Sequence, residues 1–488
     1  MLLELDDEPR TALLLDTDVG HLAAWRRTQT ADAKARLLDT APGALRTALA
    51  AQEPDPGAAG GGPSTDLPSA GSVWDLRGRI DANFRYRKQE RLAETDTDAL
   101  VTGYLDGSLR DADGAETFRF LFDGVLTADL DGLEDPSEAF YGLGDTRNSR
   151  THGFVYAAWA ETSALADDLK LRVGRQEIHR EDALYFDGAR LDAAFSGPLT
   201  GVLYAGSPVR FYESDRTGDY LGGVGLRWAA SQKLHLGLDE IVFRDRAPAG
   251  DRDQVINNNL TLLTAHWAYD TRTMVRGSSS WIGNEERRQQ LSVLWSFPEG
   301  GWWTRVHLQH QSDYGEVVVT DLSPFAAVVG DVAPYWSGSA ELHKELSSNT
   351  DLGVGYSGRW LDDAEDEGVY DREYGRWFAL LSLDQFPIEE LRTGLRGDLW
   401  DSDGARIVAG GLFFAWVPDE ESHYEVGTDF SKYRFDTYTG REYLDDRQYY
   451  FRLRHRIGDQ TSLRFRLARD RSQFGTDTLI EAAVALEF

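Results

Sequence analysis

The chain contains no cysteine, which excludes a disulfide framework, a thiolate metal site, a cysteine nucleophile and covalent haem attachment through C-x-x-C-H. It also lacks any apolar run approaching the ~18 residues that a transmembrane helix requires. Positive charge is scarce: 51 Lys and Arg stand against 82 Asp and Glu, for a formal net charge of -31. That balance argues against nucleic-acid binding, which depends on a basic surface to neutralise phosphates. Catalytic spacing is missing too, with no H-E-x-x-H, G-x-S-x-G or phosphate-binding loop. The serines of GSSSW (277 to 281) have no histidine neighbour, and the acidic groups around Asp362, Asp363, Glu365, Asp366 and Glu367 read as a solvated loop. His307 and His310 are three residues apart, which on a strand puts them on opposite faces and prevents shared metal binding. An enzyme is not expected, and neither is a cofactor or metal in this chain. The opening residues, MLLELDDEPRTALLLD, carry acidic groups where a secretory leader is basic, so the leader is expected to be absent from this sequence.

What the chain does have is aromatic residues, with 14 Trp, 20 Tyr and 22 Phe. Strongly acidic chains that stay disordered are poor in these, so this one is expected to fold. Residues 1–72 differ in texture from the rest. His21 to Ala50 is rich in helix formers and broken at Pro42, and Glu53 to Gly71 is dense in Pro, Gly and Ser. A short, partly helical periplasmic extension ending in a linker is expected there, serving as a tail, a plug or a docking arm.

From Val73 to Phe488 the hydrophobic period becomes two. In VWDLRGRIDANFRYR, Trp74, Leu76, Ile80, Ala82, Phe84 and Tyr86 share one face, while Asp75, Arg77, Arg79, Asp81, Asn83, Arg85 and Arg87 share the other. Such alternation returns through the chain in strands of roughly ten to fourteen residues, longer than the ~5–6 usual in globular sheets. Trp74, Tyr86, Tyr185, Trp228, Trp302, Trp360, Trp400 and Trp416 lie near strand ends, where interfacial girdles form. Short connectors (110–114, 166–168, 196–198, 231–233, 270–272, 298–301, 347–349, 387–390, 418–422, 458–460) alternate with longer ones (131–152, 209–219, 244–254, 314–332, 362–371, 434–446). These patterns predict an all-β, transmembrane antiparallel up-and-down β-barrel of about 22 strands, within a range of 18 to 26. Its short turns are expected to face the periplasm and its long acidic loops the exterior, in contact with lipopolysaccharide.

The final strand ends on alternating Ile480, Ala482, Val484, Leu486 and Phe488. It resembles the C-terminal recognition strand that the barrel-assembly machinery reads. The polar faces carry Arg77, Arg79, Arg85, Arg87, Arg119, Lys170, Arg172, Arg190, Arg227, Arg305, Arg392, Arg396, Arg452, Arg454, Arg456, Arg464 and Arg466. These are candidates for the pore lining. Rings of Arg and Lys favour anions, yet paired with lumenal carboxylates such as Asp75, Asp81, Asp123, Asp192 and Asp398 they could equally stiffen the wall.

Gly174, Arg175 and Gln176, followed by Phe186, Gly188, Arg190 and Leu191, resemble paired strands of porin-like barrels, in particular those of the alginate-export family. That resemblance implies an electropositive pore for an anionic polysaccharide, with Arg172 and Arg190 in its lining. The chain also resembles the barrels that sheath multihaem cytochromes in electron conduits, which would place a lumenal partner protein inside. A channel or export-type porin for anionic or polar solutes is the first expectation, a cytochrome sheath the second and a barrel hydrolase a distant third.

Overall fold

The computed structural model describes residues 73–488 except for 91–93, 111–115, 133–148, 167, 180–182, 196, 210–218, 250–251, 313–333, 364–372, 403–404, 437–440 and 473–474. The expectations for residues 1–72 lie outside the described residues. The first half of the barrel comprises β1 (Val73–Gln89), β2 (Glu94–Arg110), β3 (Glu116–Asp129), β4 (Thr151–Ala166), β5 (Leu169–His179), β6 (Ala183–Ala194), β7 (Leu199–Pro208), β8 (Tyr220–Ala229), β9 (Leu234–Ala249), β10 (Arg252–Ala268) and β11 (Thr273–Ile282). The second comprises β12 (Glu285–Phe297), β13 (Trp302–Gln311), β14 (Tyr335–Ser347), β15 (Thr350–Leu361), β16 (Tyr374–Leu383), β17 (Leu391–Ser402), β18 (Ala405–Trp416), β19 (Ser422–Asp436), β20 (Arg441–Ile457), β21 (Thr461–Ser472) and β22 (Gly475–Glu487).

Each strand pairs with the next, and β22 returns to pair antiparallel with β1, closing one 22-stranded antiparallel barrel. Closure satisfies every ladder without leaving an edge, which is the condition for a sheet to cross a bilayer. At the seam, Gly78 and Phe488 exchange backbone hydrogen bonds of 2.8 and 3.0 Å. The Phe488 ring lies over Gly78, where any side chain would overlap it.

One face of the sheet carries bare apolar side chains, among them Leu203, Val224, Val242, Leu395, Val426 and Val484. Uncovered Leu and Val in this number are tolerated only against lipid, so this is the outer face. Trp74, Trp228, Trp360 and Trp416 belong to it, each exposed by 42% or more. Trp400 does not. It stands opposite Arg376, while its neighbour Leu399 is the residue that faces out, so the girdle expected to include Trp400 loses it to the interior.

Two expected long connectors prove to be strand over their described residues. Pairing of β9 with β10 runs to Ala249 and Arg252, and that of β19 with β20 to Asp436 and Arg441. Residues 244–254 and 434–446 are polar and lack alternation, but ladder bonds use backbone groups and need no side-chain period. The expected short turns lie between strands. Asp270 in one of them accepts the N–H groups of Arg272 (2.8 Å) and Thr273 (2.7 Å). The Arg272 N–H above all holds its carboxyl below the ordinary aspartate range. A depressed folded-state pKa contributes stability above the unfolded value that is lost as pH falls through the lowered one. Protection of the Arg272 and Thr273 amides from hydrogen exchange should therefore persist at mildly acidic pH and fall only in stronger acid.

Candidate functional site: the lumenal face

Residues directly opposite in an antiparallel ladder project to the same side, so the register carries the inner face around the barrel. From Arg79, Arg85 and Arg87 it passes through Glu487, Glu481 and Leu479 to Arg466 and Arg464, and on to Arg452 and Arg454. Followed in this way, with the ion pairs that join β1 to β2, every candidate lining residue lies on the face opposite the apolar one. Arg77, Arg119, Lys170, Arg172, Arg190, Arg227, Arg305, Arg392, Arg396 and Arg456 are thereby included.

Most of these cations are held by carboxylates. Arg77 bonds Asp75 at 3.1 Å, Arg79 bonds Asp81 at 2.7 Å, Arg85 and Arg87 bond Asp98 and Asp96, and Arg119 bonds Asp106 at 2.7 Å. Arg172 bonds Glu161 at 2.7 Å and lies 3.9 Å above the Trp159 ring. Arg190 bonds Asp192 at 2.7 Å, Arg227 bonds Asp239 at 2.6 Å, and Arg392 bonds Asp384 at 3.1 Å. Arg396 reaches across β18 to Asp429 at 3.0 Å. The lattice is charge-balanced over much of the wall.

Arg172 and Arg190 stand directly opposite each other, each with a carboxylate of its own, and two further strands carry a denser block. On β20 and β21, Arg452 stands directly opposite Arg466, and Arg454 directly opposite Arg464, with Arg456 one step nearer the turn. Like charges facing each other across a ladder are destabilising. Carboxylates from the flanking strands reach into the block: Glu425 bonds Arg452 (3.3 Å), Glu481 bonds Arg466 (3.6 Å), and Asp81 bonds Arg464 (2.7 Å) while already held by Arg79. This block of guanidinium groups lies toward the short-turn end, close to the seam.

Several inner-face arginines escape the sequence reading, among them Arg276, Arg288, Arg359 and Arg376. Arg376 bonds Asp398 at 2.6 Å and lies 5.0 Å from the Trp400 ring, and Arg359 lies 3.8 Å over the Tyr335 ring. Asp398 also takes Arg396 at 3.6 Å. Asp398→Ala would leave two guanidinium groups without it, and hydrogen bonds to charged groups are worth ~2 kcal/mol. A fall of that size in unfolding free energy should appear in denaturant titration of the purified barrel.

The interior is not polar throughout. Ile178, Leu184, Phe186, Val202, Tyr204, Leu221, Ile241, Phe243, Leu260 and Ile282 form a buried apolar cluster on β5 to β11. It shares the inner face with Arg190, which stands opposite Tyr204.

The segment resembling the alginate-export family takes a defined shape. Gly174 pairs with Gly188, and Gly188 with Gly206, so glycines run across β5, β6 and β7. A side chain on any of the three would strike the neighbouring strand's carbonyl oxygen, of Ala158, Ala205 and Asp187 respectively. Gly174 has φ +125°, which L side chains avoid. The fully buried Gln176 donates to the carbonyls of Gly188 (3.3 Å) and Gly174 (3.5 Å), and Arg175 bonds Asp187 at 2.7 Å on the other face. The signature thus forms a crease in the wall, and Arg172 and Arg190 project from it into the interior.

His307 faces inward, 2.7 Å from Ser292, and His310 faces outward, stacked 4.3 Å from Trp336. Neither lies in a cluster of metal-ligating side chains among the described residues.

No family model matches the sequence, and no curated protein does. In three dimensions the chain is similar to the translocation pore of the P pilus usher PapC, at 8% identity and a TM-score of 0.50, covering 84% of this chain and 99% of that one. It is similar also to the siderophore receptor PirA from Pseudomonas aeruginosa, at 10% identity and a TM-score of 0.50, covering 85% of this chain and 80% of that one. The fold is that of the large outer-membrane barrels. At these identities the likeness is one of architecture.

Proposed function

We propose that the chain is an outer-membrane conduit, a channel or export-type porin whose interior favours anionic solutes. The observation that carries this reading is the opposed arginine pairs Arg452–Arg466 and Arg454–Arg464. A wall needing only stiffness would place a carboxylate opposite each guanidinium, as β13 and β14 do with Arg305 and Glu341. Placing like charges opposite each other costs stability and yields a positive surface that a passing anion can compensate.

In this reading the short turns and the arginine block face the periplasm, the long acidic connectors face outward toward lipopolysaccharide, and the apolar face meets lipid. Basic mouth and acidic exterior then suit movement from inside to outside. The strand ending at Phe488 serves the assembly machinery, and no step requires catalysis or a cofactor. Purified barrel in a planar bilayer should give stepwise conductance with a reversal potential on the anion side. Cation preference would overturn the proposal, and so would a purified complex that carries haem absorbance and does not conduct, since that describes a cytochrome sheath.

A further inference from the structure

Arg359 is set apart from the arginines around it. Arg376, Arg396, Arg392 and Arg452 on the following strands each bond a carboxylate. Among the described residues Arg359 has none, and its Nε is buried without an acceptor. What it has is an aromatic surround. Its guanidinium lies 3.8 Å over the Tyr335 ring, Tyr374 stands directly opposite it on β16, and the Tyr374 ring is 5.0 Å from that of Trp400. The Tyr335 hydroxyl is fixed in turn by Gln309, whose Nε2 donates to it at 2.7 Å.

A guanidinium stacked on a ring keeps its N–H edge free, and that edge matches the two oxygens of a carboxylate. Burial of the Nε beside aromatic rings strengthens such a pairing by lowering the local dielectric. Beside it stand the rings of Tyr374 and Trp400, the latter with Arg376 over one side, and a flat ring prefers offset or edge-on contact with such aromatic partners.

Resting on the conduit reading above, we infer that Arg359, Tyr335, Tyr374 and Trp400 form a lumenal binding site for small carboxylates that carry a planar ring. Calorimetric titration of the detergent-solubilised barrel with benzoate tests it, using acetate as the carboxylate without a ring. Benzoate should bind at least tenfold more tightly than acetate, Arg359→Gln should abolish the difference, and Arg175→Gln, on the opposite face of the wall, should leave it intact. Equal binding of benzoate and acetate, or benzoate binding unchanged in Arg359→Gln, overturns the site. Because the titration needs no ion flow, loss of the site with anion-selective conductance intact refutes this inference alone. Binding retained in a barrel that does not conduct refutes the conduit instead.

Discussion

Replacing Arg452, Arg454, Arg464 and Arg466 together by glutamine is expected to turn an anion-preferring pore toward cations. The change removes four positive charges from adjoining strands and leaves Glu425, Glu481 and Asp81 behind on the same surface. The barrel itself should survive. The arginine side chains are 38%, 35% and 44% exposed in those three pairs, and water-accessible ion pairs contribute only about 0–1 kcal/mol each. Relief of the arginine–arginine repulsion offsets part of that. In a tenfold gradient of a monovalent salt, where the limiting potential is ~59 mV, the reversal potential should move by a large fraction of that limit. The shift should shrink as salt rises, because screening shortens to ~3 Å at 1 M. Arg175→Gln, on the opposite face of the wall, supplies the control and should leave the potential unmoved. If the fourfold variant folds and its reversal potential matches the parent, the arginine block is wall structure and the anion pathway is wrong.

The barrel was legible because a transmembrane sheet imposes its period on every strand. Val73 to Arg87 shows why: lipid takes Trp74, Ile80 and Phe84, and the lumen takes Arg79, Arg85 and Arg87. Legibility failed where both faces are apolar. In β6, Leu184 and Phe186 are buried inside while Tyr185 sits on the other face, so no alternation marks the inward row. In β16, Phe378 lies on the same inner face as Arg376, opposite Asp398, and hides the arginine in an apolar run. Arg359 lies within a strand rich in glycine, TDLGVGYSGR, where the period is diluted. Partners were out of reach for a different reason. Arg464 and Asp81 are 383 residues apart and meet only because β22 closes on β1. A one-residue change of register would move every inner charge to the lipid face, so the pairings follow from the closed ladder and cannot be read from local pattern.

Gly188→Val is expected to prevent the barrel from forming. The Cβ would be driven into the carbonyl of Ala205 and the backbone of Gly206, and neither is the movable end of a side chain. Relief would require β6 and β7 to part, which breaks ladder bonds that ordinarily contribute about 1 kcal/mol each. Within a bilayer the loss is larger, since no water is present to take up the freed N–H and C=O groups. Nor is there slack on the β5 side, where Gly174 admits no side chain against the Ala158 carbonyl and its own carbonyl accepts the Gln176 amide. Unheated samples should therefore lack the compact, fast-migrating form on gels. Gly397→Ala makes the contrasting case: nothing lies within 4 Å of the added carbon, so it should fold as the parent does and gain up to ~1 kcal/mol from a less free unfolded chain. A Gly188→Val barrel that folds normally but conducts differently would mean that the glycine row is open lining into which a side chain can project. Failure to fold, beside a normal Gly397→Ala, assigns the row to the crease and leaves Arg172 and Arg190 as what the segment presents to the lumen.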